Sequence, residues 1–378
     1  LNIVQSGDMV RIYSSAIKTS TRLPKKTYTI GFDKMGGFYL SITKDLKAAE
    51  EKLYGVINEQ IDKTLKSYKL CKRNFGVLLS GIKGGGKTLF VQELATRCDM
   101  PVILVNHYYS GLPEFLNEID QEVLIIFDEF EKAFKPDAET GFNPQEDMLT
   151  TFDGVTNSKK LFVVICNKTY NLTGYLLNRP GRFHYHFKMG AVQDEDIVEY
   201  LTDKLLPQYY DSIKQIADMT IMCDITYDDL RAIAFDINQG YSVKETLRDL
   251  NIEGKQELEL EITLSFKNGK IFTTRNDVSI NLSRPDLKCI CCYSDDPAIN
   301  RLGQIRLEFY TGDLQAVNKH FTLDMNKIIG ARWEGEYYGS NEAVEKTLQE
   351  CDDYYQKKNI AKITITPVGK RSPQALII

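Results

Sequence analysis

Apolar positions along this chain change period twice, and each change predicts a different kind of element. In the first half, short continuous apolar runs occupy residues 75–80, 101–106, 122–127 and 161–166. Runs of that length bounded by glycine or polar residues read as strands buried on both faces. After the first run, Leu89, Phe90, Val91, Leu94 and Ala95 recur at helical spacing as far as Cys98. Strand, helix and strand in alternation predict a parallel sheet covered on both faces. Tyr185, Phe187 and Met189 alternate with polar residues as a fifth strand.

Upstream, Leu46, Ala49, Leu53, Val56, Ile57, Ile61, Leu65 and Tyr68 follow Thr43, a plausible N-cap. They predict one long amphipathic helix packed on the sheet. In residues 28–42, Gly31, Gly36 and Gly37 interrupt an apolar series, which predicts short strands or a loop ahead of the core. Before them lies an arm with one strand at 9–13. Its Arg11, Lys18, Arg22, Lys25 and Lys26 stand against Asp8 alone, which reads as a solvated surface or an anionic contact.

Residues 194–252 return to helical spacing, with Thr226 as an N-cap. From Leu258 to Phe266 the period drops to two, a strand with one buried face, and Lys267-Asn268-Gly269 turns into Ile271-Phe272. Further strands are expected near 279–282, 288–293, 304–310 and 361–366. One helix fits 341–358, with Ala343, Val344, Leu348, Cys351 and Tyr354 or Tyr355 inward. The expected organisation is an N-terminal arm (1–43), an α/β domain (44–193), a helical segment (194–252) and an α+β domain (253–378).

One stretch adds chemistry to this outline. Gly81-Ile82-Lys83-Gly84-Gly85-Gly86-Lys87-Thr88 fits G-x-x-x-x-G-K-[ST] between a predicted strand and a predicted helix. Glycines there let backbone N–H groups close around phosphate oxygens, and the helix N-terminus faces the same anion. Gly81, Lys83, Gly84, Gly85, Gly86, Lys87, Thr88 and Leu89 are the candidate cradle. Lys87 is expected to reach the β- and γ-phosphates and the Thr88 hydroxyl to ligate Mg²⁺. The third apolar run ends in Asp128-Glu129, which places two carboxylates at the sheet edge beside the loop. Asp128 is expected to hold Mg²⁺ through water and Glu129 to polarise the attacking water. The fourth run ends in Asn167, an amide placed to orient that water.

Composition narrows the class further. The chain has 378 residues, 43% of them hydrophobic, enough for two or three domains. A net charge of −5, and 17 basic against 17 acidic residues in 255–378, argue against a nucleic-acid coat. The eight cysteines are scattered along the chain, with one cluster at Cys289, Cys291 and Cys292. Alternation along a strand sends Cys292 to the face opposite Cys289 and Cys291, so these read as reduced core residues rather than metal ligands. There is no membrane-length apolar run and no recognisable signal peptide, and the expected location is cytoplasmic.

The order of glycine loop, Asp-Glu strand, Asn-ended strand and Asn178-Arg179-Pro180-Gly181-Arg182-Phe183 resembles the AAA family of ATPases, including its second region of homology. Leu149-Thr150-Thr151-Phe152-Asp153-Gly154 is similar to that family's helix end before this region. The resemblance covers residues 45–252 and implies an α/β P-loop NTPase domain with a helical lid at 194–252, using ATP and Mg²⁺. It implies a homo-oligomeric ring, a hexamer, in which Asn167 is the first sensor and Arg179 and Arg182 are fingers reaching the next subunit's ATP.

It also places Tyr108 and Tyr109, in His107-Tyr108-Tyr109-Ser110-Gly111, as pore-loop candidates gripping a protein client, with packing under a short loop as the rival reading, and residues 132–144 as a second pore loop. The short connection after them is similar to the mitochondrial Rieske-protein translocase type. Two features depart from the family pattern: Lys83 and three glycines stand where proline is usual, and no arginine marks a second sensor. A nucleic-acid-directed ATPase resembling a helicase loader and an ATP-gated scaffold remain alternatives to a protein-remodelling motor.

Overall fold

In a computed structural model the chain divides into two compact units, residues 1–190 and 191–378. The structure describes residues 2–6, 9–34, 36–47, 52–154, 158–177, 181–250, 252, 254–255, 258–278, 286–335 and 342–368.

The first unit begins with an antiparallel hairpin of β1 (Asn2–Ser6) and β2 (Met9–Tyr13). Then come β3 (Thr27–Asp33), β4 (Gly37–Ile42), α1 (Ile57–Leu70), β5 (Phe75–Gly81), α2 (Lys87–Arg97), β6 (Val102–Val105), α3 (Leu112–Glu118) and β7 (Leu124–Phe127). Three short helices, α4 (Phe130–Ala133), α5 (Pro144–Asp147) and α6 (Leu149–Asp153), precede β8 (Leu161–Cys166), α7 (Gly174–Leu177) and β9 (Tyr185–Met189). β3 to β9 form a seven-stranded sheet in the order β4-β3-β6-β7-β8-β5-β9. Every pairing in it is parallel except β3 with the edge strand β4.

Because β5, β7 and β8 are interior strands flanked by helices, nearly all their residues are buried, which is why they read as unbroken apolar runs. Under the sheet, α4 and α6 supply Phe130 and Phe152, which meet Phe127 at ring-centroid distances of 5.8 and 5.5 Å. Phe130 also stacks on Phe134 at 4.4 Å. This dry aromatic layer anchors the segment directly after the Asp-Glu pair.

Two expectations change here. Residues 28–42, read as short strands or a loop ahead of the core, belong to two strands of the central sheet itself, β3 pairing Thr27–Thr29 with Val102–Leu104. The long helix after Thr43 is also shorter than its periodicity suggests, starting at Ile57. Thr43 is not a cap: its N–H donates to the Thr27 carbonyl, and the Asp45 carboxylate accepts from the Thr27 N–H and hydroxyl. Those bonds hold 43–45 to the sheet, and Gly55 at φ +63° marks a turn before the helix. Ala49 lies outside the described residues.

The second unit opens with α8 (Asp194–Lys204), α9 (Asp211–Asp218), α10 (Tyr227–Asn238) and α11 (Val243–Asp249). Reciprocal capping boxes start α10 (Thr226 with Asp229) and α11 (Ser242 with Glu245). The strands β10 (Leu258–Phe266), β11 (Ile271–Val278), β12 (Leu287–Ser294), β13 (Gln304–Tyr310), β14 (Gln315–Val317), β15 (His320–Thr322), β16 (Ile328–Glu334) and β17 (Ile360–Pro367) form an antiparallel sheet ordered β14-β15-β17-β10-β11-β12-β13-β16. The one-turn helix α12 (Pro297–Asn300) follows β12, and α13 (Glu342–Tyr354) precedes β17.

Alternation in β10 buries Leu258, Leu260, Ile262, Leu264 and Phe266. On α13 and just after it, Cys351 and Tyr355 are buried and Val344 and Leu348 half-buried, whereas Ala343, expected inward, is exposed. Cys292 faces the core while Cys289 is exposed. The strand expected near 279–282 falls outside the described residues. The helices are tied to the sheet: Lys319 Nζ meets Asp194 at 2.7 Å, the Ala217 carbonyl at 2.5 Å and the Thr220 hydroxyl at 2.6 Å. Among the described residues no helix is long and apolar enough to cross a membrane.

Candidate functional site

The glycine loop connects β5 to α2, and its backbone demands glycine at defined positions. Gly81 sits at φ +132°, and a Cβ there would lie 1.9 Å from the Met189 carbonyl oxygen of the neighbouring strand. Gly86, at φ +93°, caps α2 without a side chain, leaving the helix's first N–H groups with no capping oxygen. Lys83 and Thr88 are exposed beside it, and Leu89 is half-buried. Lys87 is 7% exposed, and its ammonium donates to the Gly81 and Ile82 carbonyls, each at 2.7 Å. Burial lowers its pKa from the ordinary lysine value, while the charges of Glu131 and Asp128 act in the opposite direction. Asp128 and Glu131 thus both act electrostatically on Lys87.

Register explains this convergence. Ser80 of β5 pairs with Cys166 of β8, so Asn167 leaves the sheet where Gly81 enters the loop. Phe127 of β7 pairs with Val164 of β8, and Asp128 and Glu129 leave the sheet directly after it. Asp128 is exposed, and its Oδ1 accepts from the Glu129 N–H at 2.8 Å. Glu129 has φ +44° and ψ +44°, left-handed backbone for a residue with a Cβ. Such strain, about 1–3 kcal/mol, concentrates at functional sites. Its exposed carboxylate accepts from Lys132 Nζ at 2.5 Å, and that hydrogen bond holds its pKa below the usual carboxylate range.

Behind this edge lies Glu131, 7% exposed, which reading the sequence left out. Its Oε1 accepts from the Asn167 N–H at 2.9 Å, and its buried Oε2 has no hydrogen-bond partner among the described residues. The available signal was an acid in a one-turn helix immediately after two carboxylates, flanked by Phe130 and Phe134, which are both buried. Next to Asn167, burial pushes the Cys166 thiol up to about 12, so it stays protonated at neutral pH.

The structure brings Lys87, Asp128, Glu129 and Asn167 to one sheet edge and sends other candidates elsewhere. Arg182, expected to reach out of the chain, is only 5% exposed. Its Nε and Nη2 bind the two Asp153 oxygens at 2.6 and 2.8 Å, and Nη1 donates to the Tyr175 carbonyl at 2.5 Å. Gly154, at φ +88°, ends α6 directly after Asp153. Arg179 lies outside the described residues. Tyr108 and Tyr109, expected to project, are instead packed: Tyr108 donates to Asp147 Oδ2 at 2.7 Å, and its ring lies 5.7 Å from Phe134. Tyr109 stacks on Phe32 at 5.7 Å, because the β3–β4 edge offers it an aromatic surface.

A parallel sheet whose glycine turn runs from strand to helix, beside carboxylates at a neighbouring strand end, defines a phosphate-loop nucleotide-binding domain. Residues 77–191 match the family described as "ATPase family associated with various cellular activities (AAA)". The chain carries an AAA ATPase domain and has homologues across that family. It is 25% identical over 154 residues to a probable mitochondrial chaperone bcs1 of Schizosaccharomyces pombe, covering 38% of this chain and 33% of that protein. To an ATP-dependent zinc metalloprotease FtsH 2 of Phytoplasma mali it is 26% identical over 212 residues, 50% of this chain and 31% of the other. To a peroxisomal ATPase PEX6 of Rattus norvegicus it is 24% identical over 218 residues, 52% and 22% respectively. The chain therefore spans about a third or less of these relatives.

Proposed function

We propose that this chain is a subunit of an ATP-hydrolysing ring motor, a hexamer, that remodels, unfolds or translocates a protein client. The observation that carries the chemistry is the convergence of buried Lys87, the Asp128-Glu129 pair and Asn167 around the Gly81–Thr88 turn. Gly86 leaves the first N–H groups of α2 without a side-chain capping oxygen, the Thr88 hydroxyl and Asp128 carboxylate are exposed beside the turn, and these groups fit a magnesium nucleotide. When bound, Mg²⁺ would be held by Thr88 and Asp128 and would offset phosphate charge. Lys87 exchanges its two loop carbonyls for phosphate oxygens. Glu129 accepts the proton of the attacking water once Lys132 releases it, and the Asn167 amide orients that water.

Arg179 is the group we assign to the neighbouring subunit's ATP, since Arg182 is engaged by Asp153. The client class draws its support from relatives named as a chaperone and an ATP-dependent protease. Eight free cysteines suit a reducing compartment such as the cytoplasm.

The test is phosphate release by the wild type and Glu129→Gln. The variant should retain ATP while turnover falls by about 10²–10⁴-fold. Undiminished turnover in Glu129→Gln removes Glu129 as the base. ATP binding without phosphate release by the wild type turns the reading into an ATP-gated scaffold.

A further inference from the structure

Glu131 is a carboxylate the reaction outlined above leaves without a role, and its surroundings call for one. A buried carboxylate is costly unless both oxygens are hydrogen-bonded. Here one oxygen holds the Asn167 backbone and the other has no donor among the described residues. Packing does not require an acid at this place, because Phe130 and Phe134 on either side already build the aromatic layer. Glu131 connects two strand ends: its own turn follows the Asp-Glu pair after β7, and its Oε1 grips the first residue after β8. The only backbone donor it binds in the described structure belongs to Asn167, the residue that leaves β8 where Gly81 enters the glycine loop.

We propose that Glu131 is a positioning residue for ATP hydrolysis, fixing Asn167 through its backbone so that the amide is presented at the right distance from the attacking water. Glu131 touches no reacting atom; it acts through Asn167 and keeps the carboxylate turn and the sensor residue moving as one piece. Displacing a catalytic group by about 1 Å costs on the order of 10²-fold in rate, so the tie bears on turnover more than on affinity. This role rests on the hydrolytic reading of the site.

Two measurements test it. The first is a double-mutant cycle in steady-state phosphate release. Glu131→Ala should lower kcat by about 10- to 100-fold with little change in KM for ATP. In an Asn167→Ala background the same change should cost no more than about 3-fold, because the residue it acts through has lost its amide. Glu131→Gln keeps a carbonyl oxygen for the Asn167 N–H and should restore most of the lost kcat. Losses that multiply across the cycle, an effect on KM instead of kcat, or no recovery with Gln would each overturn the proposal.

The second needs no turnover. Amide hydrogen exchange in residues 161–170 should accelerate at Asn167 in Glu131→Ala and stay near wild type in Glu131→Gln. Unchanged exchange in Glu131→Ala sinks the tie even if the enzyme proves to be a scaffold. Should Glu131→Ala fail to fold, Glu131→Met fills the space without an acceptor and is read by the same criteria.

Discussion

Arg182 and Arg179 stand three positions apart and are alike in sequence, yet the burial of Arg182 gives it structural work. With its guanidinium forked onto both Asp153 oxygens and 5% exposed, Arg182 braces the segment after β8 against the end of α6. Removing one partner of a fully buried pair costs about 3–5 kcal/mol. Asp153 is 37% exposed, so solvent screening brings the expected loss for Arg182→Ala to roughly 2–4 kcal/mol in a urea titration of the folded chain. Arg182→Lys should recover little of it, because an ammonium cannot make the two parallel bonds. Arg179→Ala, at the position we assign to a neighbour's ATP, should keep the unfolding free energy within about 0.5 kcal/mol of wild type while phosphate release falls. A stable Arg182→Ala chain would return Arg182 to the finger role.

At the scale of elements, the second unit depends on a lysine that bonds helices to sheet. Lys319, φ +62° in the turn between β14 and β15, binds Asp194 at the start of α8 together with the Ala217 carbonyl and Thr220 hydroxyl. Burial pushes the Asp194 pKa up, but the hydrogen bonds from Lys319 and Thr220 and the charges of Lys319 and Lys255 outweigh it, and the net shift is downward. A depressed carboxylate pKa stabilises the fold above the ordinary Asp value, and that contribution is lost as pH falls through the depressed one. Lys319→Met should therefore destabilise the chain by about 1–3 kcal/mol at pH 7. The penalty should shrink as the solution is acidified below the ordinary Asp pKa of about 3.9. Urea titrations at neutral and acid pH check both; an equal penalty at both would show that Asp194 is not the partner that matters.

No periodicity announces such a lysine, since it lies in a turn a hundred residues from what it binds. The buried strands β5, β7 and β8 were legible because burial on both faces writes continuous apolar runs. β3 and β4 were not legible as sheet members: glycines break their pattern, and their membership depends on pairing with β6, far along the chain. The site divides in the same way. Lys87, Thr88, Asp128, Glu129 and Asn167 announce themselves by following strands, whereas Glu131 is defined only by a contact with another strand's end. The aromatic surroundings of Tyr108 and Tyr109 likewise come from elements distant in sequence.

On the scale of the whole molecule, the proposed ring is tested by the cations it would bring to the nucleotide. A phosphoryl group in transfer needs cations around it, and a finger arginine accelerates such reactions by about 10³–10⁵-fold. Within the first unit Lys87 is in place, Lys83 is exposed beside the turn, Lys132 is paired with Glu129, and Arg182 is turned to Asp153. The remaining arginine of the Arg-Pro-Gly-Arg segment, Arg179, is the one we assign across the seam. Two kinds of dead subunit should then complement each other: Lys87→Ala loses its own nucleotide but keeps Arg179, and Arg179→Ala keeps its nucleotide but fails its neighbour. Each alone should be nearly inactive. Mixing them should recover part of the wild-type phosphate release, because some seams pair an intact loop with an intact arginine. Specific activity of the wild type should also rise with protein concentration until the ring is complete. Turnover independent of concentration in a chain that sediments as a monomer, or no recovery in mixtures shown to co-assemble, would place hydrolysis within a single copy and remove the trans assignment of Arg179.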